Sequence, residues 1–144
     1  MENVSEKKYF NFVEGRFSDL LIQEAEQCID EIINEHGTIN LDRSDFEMLK
    51  WKGMGAESVV AITRGNVEDV YGKALEELKD YNLKDCKTHL IYLWMSNEDN
   101  NSARWIDCMR NFMEGLGDDS LIKWGITVTN QNLGNGAKLL LIST

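Results

Sequence analysis

Proline is absent from the 144 residues, histidine occurs twice and cysteine three times. Without proline there is no stiff proline-rich linker. Cys28, Cys86 and Cys108 are odd in number and widely spaced, and no CxxC occurs. That pattern predicts reduced packing thiols, not a disulfide framework. His36 and His89 stand alone, outside any Cys/His cluster of ligand spacing, so no zinc or other metal site is expected. Cations are also scarce. Fifteen Lys and Arg face 25 Asp and Glu, for a formal net charge of −10, and no basic stripe forms. Phosphate backbones and anionic bilayers need clustered Lys and Arg, so neither nucleic acid nor membrane is an expected partner. Long apolar runs are missing too, which excludes a bilayer-spanning helix. The opening MENVSEKKYF lacks the apolar core of a secretory signal, which predicts a cytoplasmic protein. No repeat or low-complexity segment is found.

What is present is enough for one domain. The hydrophobic share is 42 % with four Trp, which suits a packed core and not a disordered chain. Residues 1–16 are mixed and polar and read as an arm. Phe17, Leu20, Leu21, Ala25, Cys28, Ile29, Ile32 and Ile33 then fall on one stripe of period 3.6, opposite acidic residues, and predict a helix. Gly37 suits a left-handed position at its end. ESVVAIT is short and β-branched and predicts a strand, with Gly53 and Gly55 making its approach irregular. Asn66 is the expected cap of a second helix striped by Val67, Val70, Tyr71, Ala74, Leu75 and Leu78.

THLIYLWMS is nearly all apolar and predicts a central strand covered on both sides. NEDNNS reads as a loop, with Asn101 or Ser102 capping a third helix striped by Trp105, Met109, Phe112 and Leu116. GLGDD breaks that helix. LIKWGITVT alternates as a strand, NQNLGNG turns, and AKLLLIS is a last strand, expected to form a hairpin with its predecessor. The order predicts an α+β layer of four strands with helices packed on it. The Met and aromatic residues on helix stripes read as core.

One short stretch resists a purely structural reading. HGTINLDRSDFEMLK packs Asn40, Asp42 and Asp45 into a turn between two apolar segments. Asp42, Ser44 and Asp45 are all good helix N-caps. The same spacing would also let two carboxylates face one cation or reach into a partner's site.

CIDEIINEHGTINLDRSDFEML resembles the stretch of the division GTPase FtsZ where a long central helix runs into the synergy loop, G-x-x-N-x-D-x-x-D. Here those positions are Gly37, Asn40, Asp42 and Asp45. IKWGITVTNQNLGNGAKLLLIST resembles that family's closing W-G strand, turn and apolar last strand, and RGNVEDVYGKALEEL sits where the family has a Gly-Glu-Asn turn and an Ala-rich helix. The resemblance spans roughly residues 17–144. It implies a two-layer sandwich with a four-stranded mixed sheet, like the FtsZ/tubulin C-terminal domain, preceded by the central helix (17–36) and acidic loop (37–46).

The resemblance also carries departures. The family's Gly-rich phosphate loop of GGGTGTG type is missing from this sequence, as is a P-loop. The family's guanine-contacting Asp falls at Leu20, beside Asp19, and a Leu side chain accepts no hydrogen bond from a base. The loop itself departs at Arg43, Phe46 and Glu47. The family's linker and partner-binding tail are not expected beyond Thr144.

In the family, the loop reaches into the nucleotide site of the next subunit, where its carboxylates orient water or a cation. By that resemblance Asp42 and Asp45 are the orienting pair and Asn40 shapes the loop. Arg43 pairs with Asp45 or adds positive charge near a partner's phosphates. The implied partner is an FtsZ/tubulin-type GTPase polymer. The implied role is a binding or regulating module for cell division, with no cofactor and no catalytic residues of its own. The alternative is a self-associating or small-molecule-binding α+β module, possible as a homodimer, with no division role. An independent hydrolase is disfavoured, because the chain has no nucleophile elbow, His companion or phosphate cradle.

Overall fold

The computed structural model describes residues 9–13, 15–35, 37–53, 56–129 and 136–144. Expectations for His36, Gly55 and most of the NQNLGNG turn lie outside them. The order is α1 (Asp19–Asn34), α2 (Arg43–Lys52), β1 (Val59–Gly65), α3 (Val70–Glu77), a 3-10 turn at Leu83–Asp85, β2 (Thr88–Met95), α4 (Asn97–Ser102), α5 (Arg104–Glu114), β3 (Leu121–Val128) and β4 (Ala137–Ser143).

The four strands form one mixed sheet in the order β1-β4-β2-β3. β4 is antiparallel to both β1 and β2, and β3 runs parallel to β2 at the edge. This corrects the hairpin expected between β3 and β4. All eight residues of β2 are buried, and six of seven in β4, whereas six of eight in β3 are only half-buried. The two apolar strands therefore take the middle, and alternating β3 takes an edge. A parallel neighbour needs a crossover, which α4 and α5 supply.

Helices pack on the sheet as expected, with α3 and α5 on one face and α1 and α2 on the other. One core joins the α3 and α5 residues Val70, Tyr71, Ala74, Trp105, Met109 and Phe112 to Ala61, Ile91, Leu93 and Leu139. The other joins α1 (Ala25, Cys28, Ile29, Ile32) and α2 (Phe46, Leu49) to Val60, Leu90, Tyr92 and Leu140. The arm completes this second core. Phe10 is buried edge-on to Phe46, Tyr9 lies 5.4 Å from the same ring, and Phe12 bridges to Ser58. Phe46 has no exposure, and truncating such a residue to Ala costs about 3–5 kcal/mol.

Local expectations are corrected at several places. NEDNNS is helical: Ser96 caps α4 through its hydroxyl, with Glu98 and Asp99 in the first turn, although α4 buries no residue. Neither Asn101 nor Ser102 is the cap of α5, because Ala103 occupies that position at φ 61°. The Ser102 hydroxyl still accepts the Arg104 N–H at 3.4 Å. α3 starts at Val70 after an Asn66–Asp69 turn, and Asn66 is not its cap. Leu20 and Leu75, expected on buried stripes, are 78 % and 45 % exposed. Among the described residues no helix is long and apolar enough to cross a membrane.

Candidate functional site: the acidic turn between α1 and α2

The turn begins where α1 ends, with Glu35 already extended. Gly37 is not left-handed, contrary to expectation. Its glycine is required by close approach instead. A Cβ there would meet the Tyr92 hydroxyl, the Ile126 carbonyl oxygen at 2.7 Å and Thr127 Oγ1 at 2.8 Å. The chain then runs antiparallel along the outer side of β3. The N–H groups of Thr38 and Ile39 both donate to the Ile126 carbonyl, at 3.0 and 3.1 Å, and the Ile126 N–H donates back to Ile39 at 3.1 Å. The Tyr92 hydroxyl donates to the same carbonyl at 3.2 Å and pairs with Thr127 Oγ1 at 2.7 Å. Leu41, 6 % exposed, pins the far end of the turn in the core.

Asp42 is the N-cap of α2 in a complete capping box. Its Oδ1 accepts the Asp45 N–H at 3.2 Å and the Ser44 hydroxyl at 2.5 Å, while Asp45 Oδ2 accepts the Asp42 N–H at 3.0 Å. Reciprocal bonds of this kind satisfy amides that the first helical turn leaves unpaired. The Ser44 hydroxyl, then the Asp45 amide, hold the Asp42 carboxyl below the usual carboxylate range. The charged form is favoured because both donors point at it.

Asp45 has a second partner. Its Oδ1 lies 3.0 Å from Lys123 Nζ on β3, with both side chains 23 % exposed. This corrects the expected Arg43–Asp45 pair. Arg43, Asn40 and Asp42 are all exposed. Both Asp45 oxygens are thus engaged within the protein, and Asp42 faces solvent. Arg43, Ser44, Asp45 and Phe46 form the first turn of α2, so the open part of the loop is 37–42.

Chemically, the turn presents one anionic side chain beside a cation and an amide, on a backbone fixed to the sheet edge. Among the described residues no group of three His, Cys, Asp or Glu could hold a metal ion. Leu20 lies one residue into α1, solvent-exposed, and offers no acceptor there. Sequence reasoning missed Lys123 and Tyr92. A tyrosine inside the apolar run LIYLW was the available signal, since a buried hydroxyl needs a partner. Lys123 carried no local signal for its pairing with Asp45.

Neither a family model nor a curated protein matches the chain. Solved structures do. An FtsZ dimer from M. jannaschii superposes at TM-score 0.67 with 21 % identity, over 88 % of this chain and 37 % of that one. A GTPγS-form TubZ protofilament of Bacillus thuringiensis serovar israelensis gives 0.64 and 11 %, over 85 % and 34 %. CetZ from Methanosaeta thermophila gives 0.60 and 12 %, over 86 % and 36 %. The chain therefore spans little more than a third of each of these proteins. At such identities the likeness is one of fold: the chain's mixed four-stranded sheet and packed helices match those of an FtsZ-like C-terminal domain.

Proposed function

We propose that this chain is a cytoplasmic interaction module that docks its acidic turn on an FtsZ/tubulin-type GTPase polymer and regulates its assembly or turnover in division. The observation that carries the reading is the exposure of Asp42 on a turn whose backbone is bonded to β3. A positioned carboxylate near a phosphoanhydride can orient the attacking water or balance the metal's charge. Asp42 is the group to be presented, with Asn40 and Arg43 beside it. Asp45 is the brace that fixes it. The neighbours' dimer and protofilament forms support association as the mode of action.

The 144 residues hold the acidic turn but no Gly-rich phosphate loop. A heterologous contact propagates only when both complementary faces are present. Residues 1–144 by themselves would therefore join a filament end and stop, acting on the partner's hydrolysis without being a GTPase. The test is to mix the protein with the host's FtsZ-type GTPase and follow GTP turnover and sedimentation, with Asp42→Asn alongside. A change with wild type that Asp42→Asn abolishes supports the reading. No effect of wild type on either readout overturns it.

A further inference from the structure

The sheet edge at β3 is closed over only part of its length. Ile126 points its N–H and C=O outward to Thr38 and Ile39, and the Val128 N–H reaches Thr38 Oγ1 at 3.3 Å. The odd residues of β3 face β2, as the Leu121 N–H to Lys87 and the Thr129 N–H to Met95 show. Backbone direction alternates along a strand, so Ile122 and Trp124 also point theirs outward. Among the described residues nothing pairs with them there. An open edge of this kind is a template for an added strand. At the other edge of the sheet the arm already pairs with Ser58, through Asn11 and Val13.

Directly beside the open edge lies a groove of about 340 Å³ lined by Met48, Trp51, Lys52, Asp118, Asp119 and Leu121. Met48 is 49 % and Trp51 75 % exposed. An apolar floor next to unpaired strand groups is the arrangement that strand-addition recognition uses. Main-chain bonds give affinity there, and pockets for alternate side chains give selectivity.

We propose that Ile122, Trp124 and this groove form a docking site for a short, extended peptide segment of a partner protein, apolar at alternate positions and basic at its flanks. A second copy of this chain is the poorer occupant. Two β3 strands paired antiparallel about Lys123 would set Ser120 of the second copy against Ile126, where Ile39 already lies. A free segment meets no such obstacle. The basic flanks follow from charge: Asp118 and Asp119 outnumber Lys52 in the groove lining, on a chain of net −10, which attracts cationic segments and repels a second copy.

The site is independent of the Asp42 reading, and its test keeps the two apart. A random dodecapeptide display library is panned on the full chain. An enriched peptide is then synthesised, along with a form N-methylated at alternate backbone amides. Wild type should select apolar-alternating, basic peptides that slow amide exchange at Ile122 and Trp124. Trp51→Ala and the N-methylated peptide should each weaken binding at least about ten-fold, and Asp42→Asn should leave it unchanged. Trp51 is too exposed for its loss to unfold the chain. The proposal is overturned if no peptide is enriched. It is equally overturned if enriched peptides bind Trp51→Ala as tightly as wild type, or leave exchange at Ile122 and Trp124 unaltered.

Discussion

Asp42 and Asp45 hold each other by their backbones: the amide of each donates to the carboxylate of the other, at 3.0 and 3.2 Å. The pair that the family resemblance offers as a functional couple is first of all a capping couple, and its members are not equivalent. Lys123 ties Asp45 into the sheet and leaves Asp42 outside.

Replacing Asp42 separates the two roles. Asn caps helices about as well as Asp, so Asp42→Asn is expected to melt within about a degree of wild type while losing any charge-dependent action on a GTPase. Asp42→Ala loses the cap as well, and its melting midpoint should fall by roughly a few degrees. Thermal unfolding followed by circular dichroism distinguishes them. Asp42 has a lowered carboxyl pKa, so its contribution is present above the unfolded-state pKa and is lost as pH falls through the folded one. Equal midpoints for Asn and Ala would remove the capping argument.

Gly37→Ala is expected to destabilise by about 1–3 kcal/mol. The new methyl would press on the Ile126 carbonyl and Thr127 Oγ1, and the first of these is backbone that cannot swing aside. Urea unfolding gives the magnitude. Faster amide exchange at Thr38 and Ile39 would show that the turn has lifted from β3.

His89 makes stability depend on pH. Its ring is fully buried, Nδ1 pairs with Ser143 Oγ at 2.7 Å, and Nε2 has no partner among the described residues. Burial pushes its pKa down to about 4. The unfolded chain, titrating near the ordinary value, then binds more protons than the native one between the two pKa values. Stability is fully present above about 6.5 and falls as pH drops toward 4, by an amount on the order of 3 kcal/mol. Denaturant midpoints at pH 7 and pH 4.5 measure it, and His89→Gln should flatten the slope. An NMR titration placing the His89 pKa near 6.5 would contradict this account.

Ala103 sits at φ 61° between α4 and α5. A left-handed alanine costs about 1–2 kcal/mol, partly offset by the greater unfolded-state freedom of glycine. Ala103→Gly should therefore stabilise by up to about 1 kcal/mol. A lower denaturation midpoint for the glycine variant would contradict it.

The helices and strands were legible where apolar periodicity runs long, as from Ala25 to Ile33 or from Leu90 to Met95. Pairing was less so. β3 and β4 are neighbours in sequence, and a hairpin was the natural expectation. Yet Lys123 and Thr127 break the apolar pattern of β3, while AKLLLIS runs unbroken and apolar from Leu139 to Ile142. That contrast places β4 at the centre and β3 at the rim. α4 escaped notice because its signal is a cap and an acidic first turn, not a stripe. In the acidic turn, the capping residues were readable from local spacing. Lys123 was not, since its approach to Asp45 depends on how α2 crosses the sheet.

The Ile126 carbonyl takes three donors, two from the turn and one from Tyr92. A tug on Asp42 would therefore not simply peel the turn away. It would load β3 along its length and, through Tyr92, the middle of the sheet, where strands resist sliding better than unzipping. The acidic turn is a handle tied at once to the edge strand and to its inner neighbour.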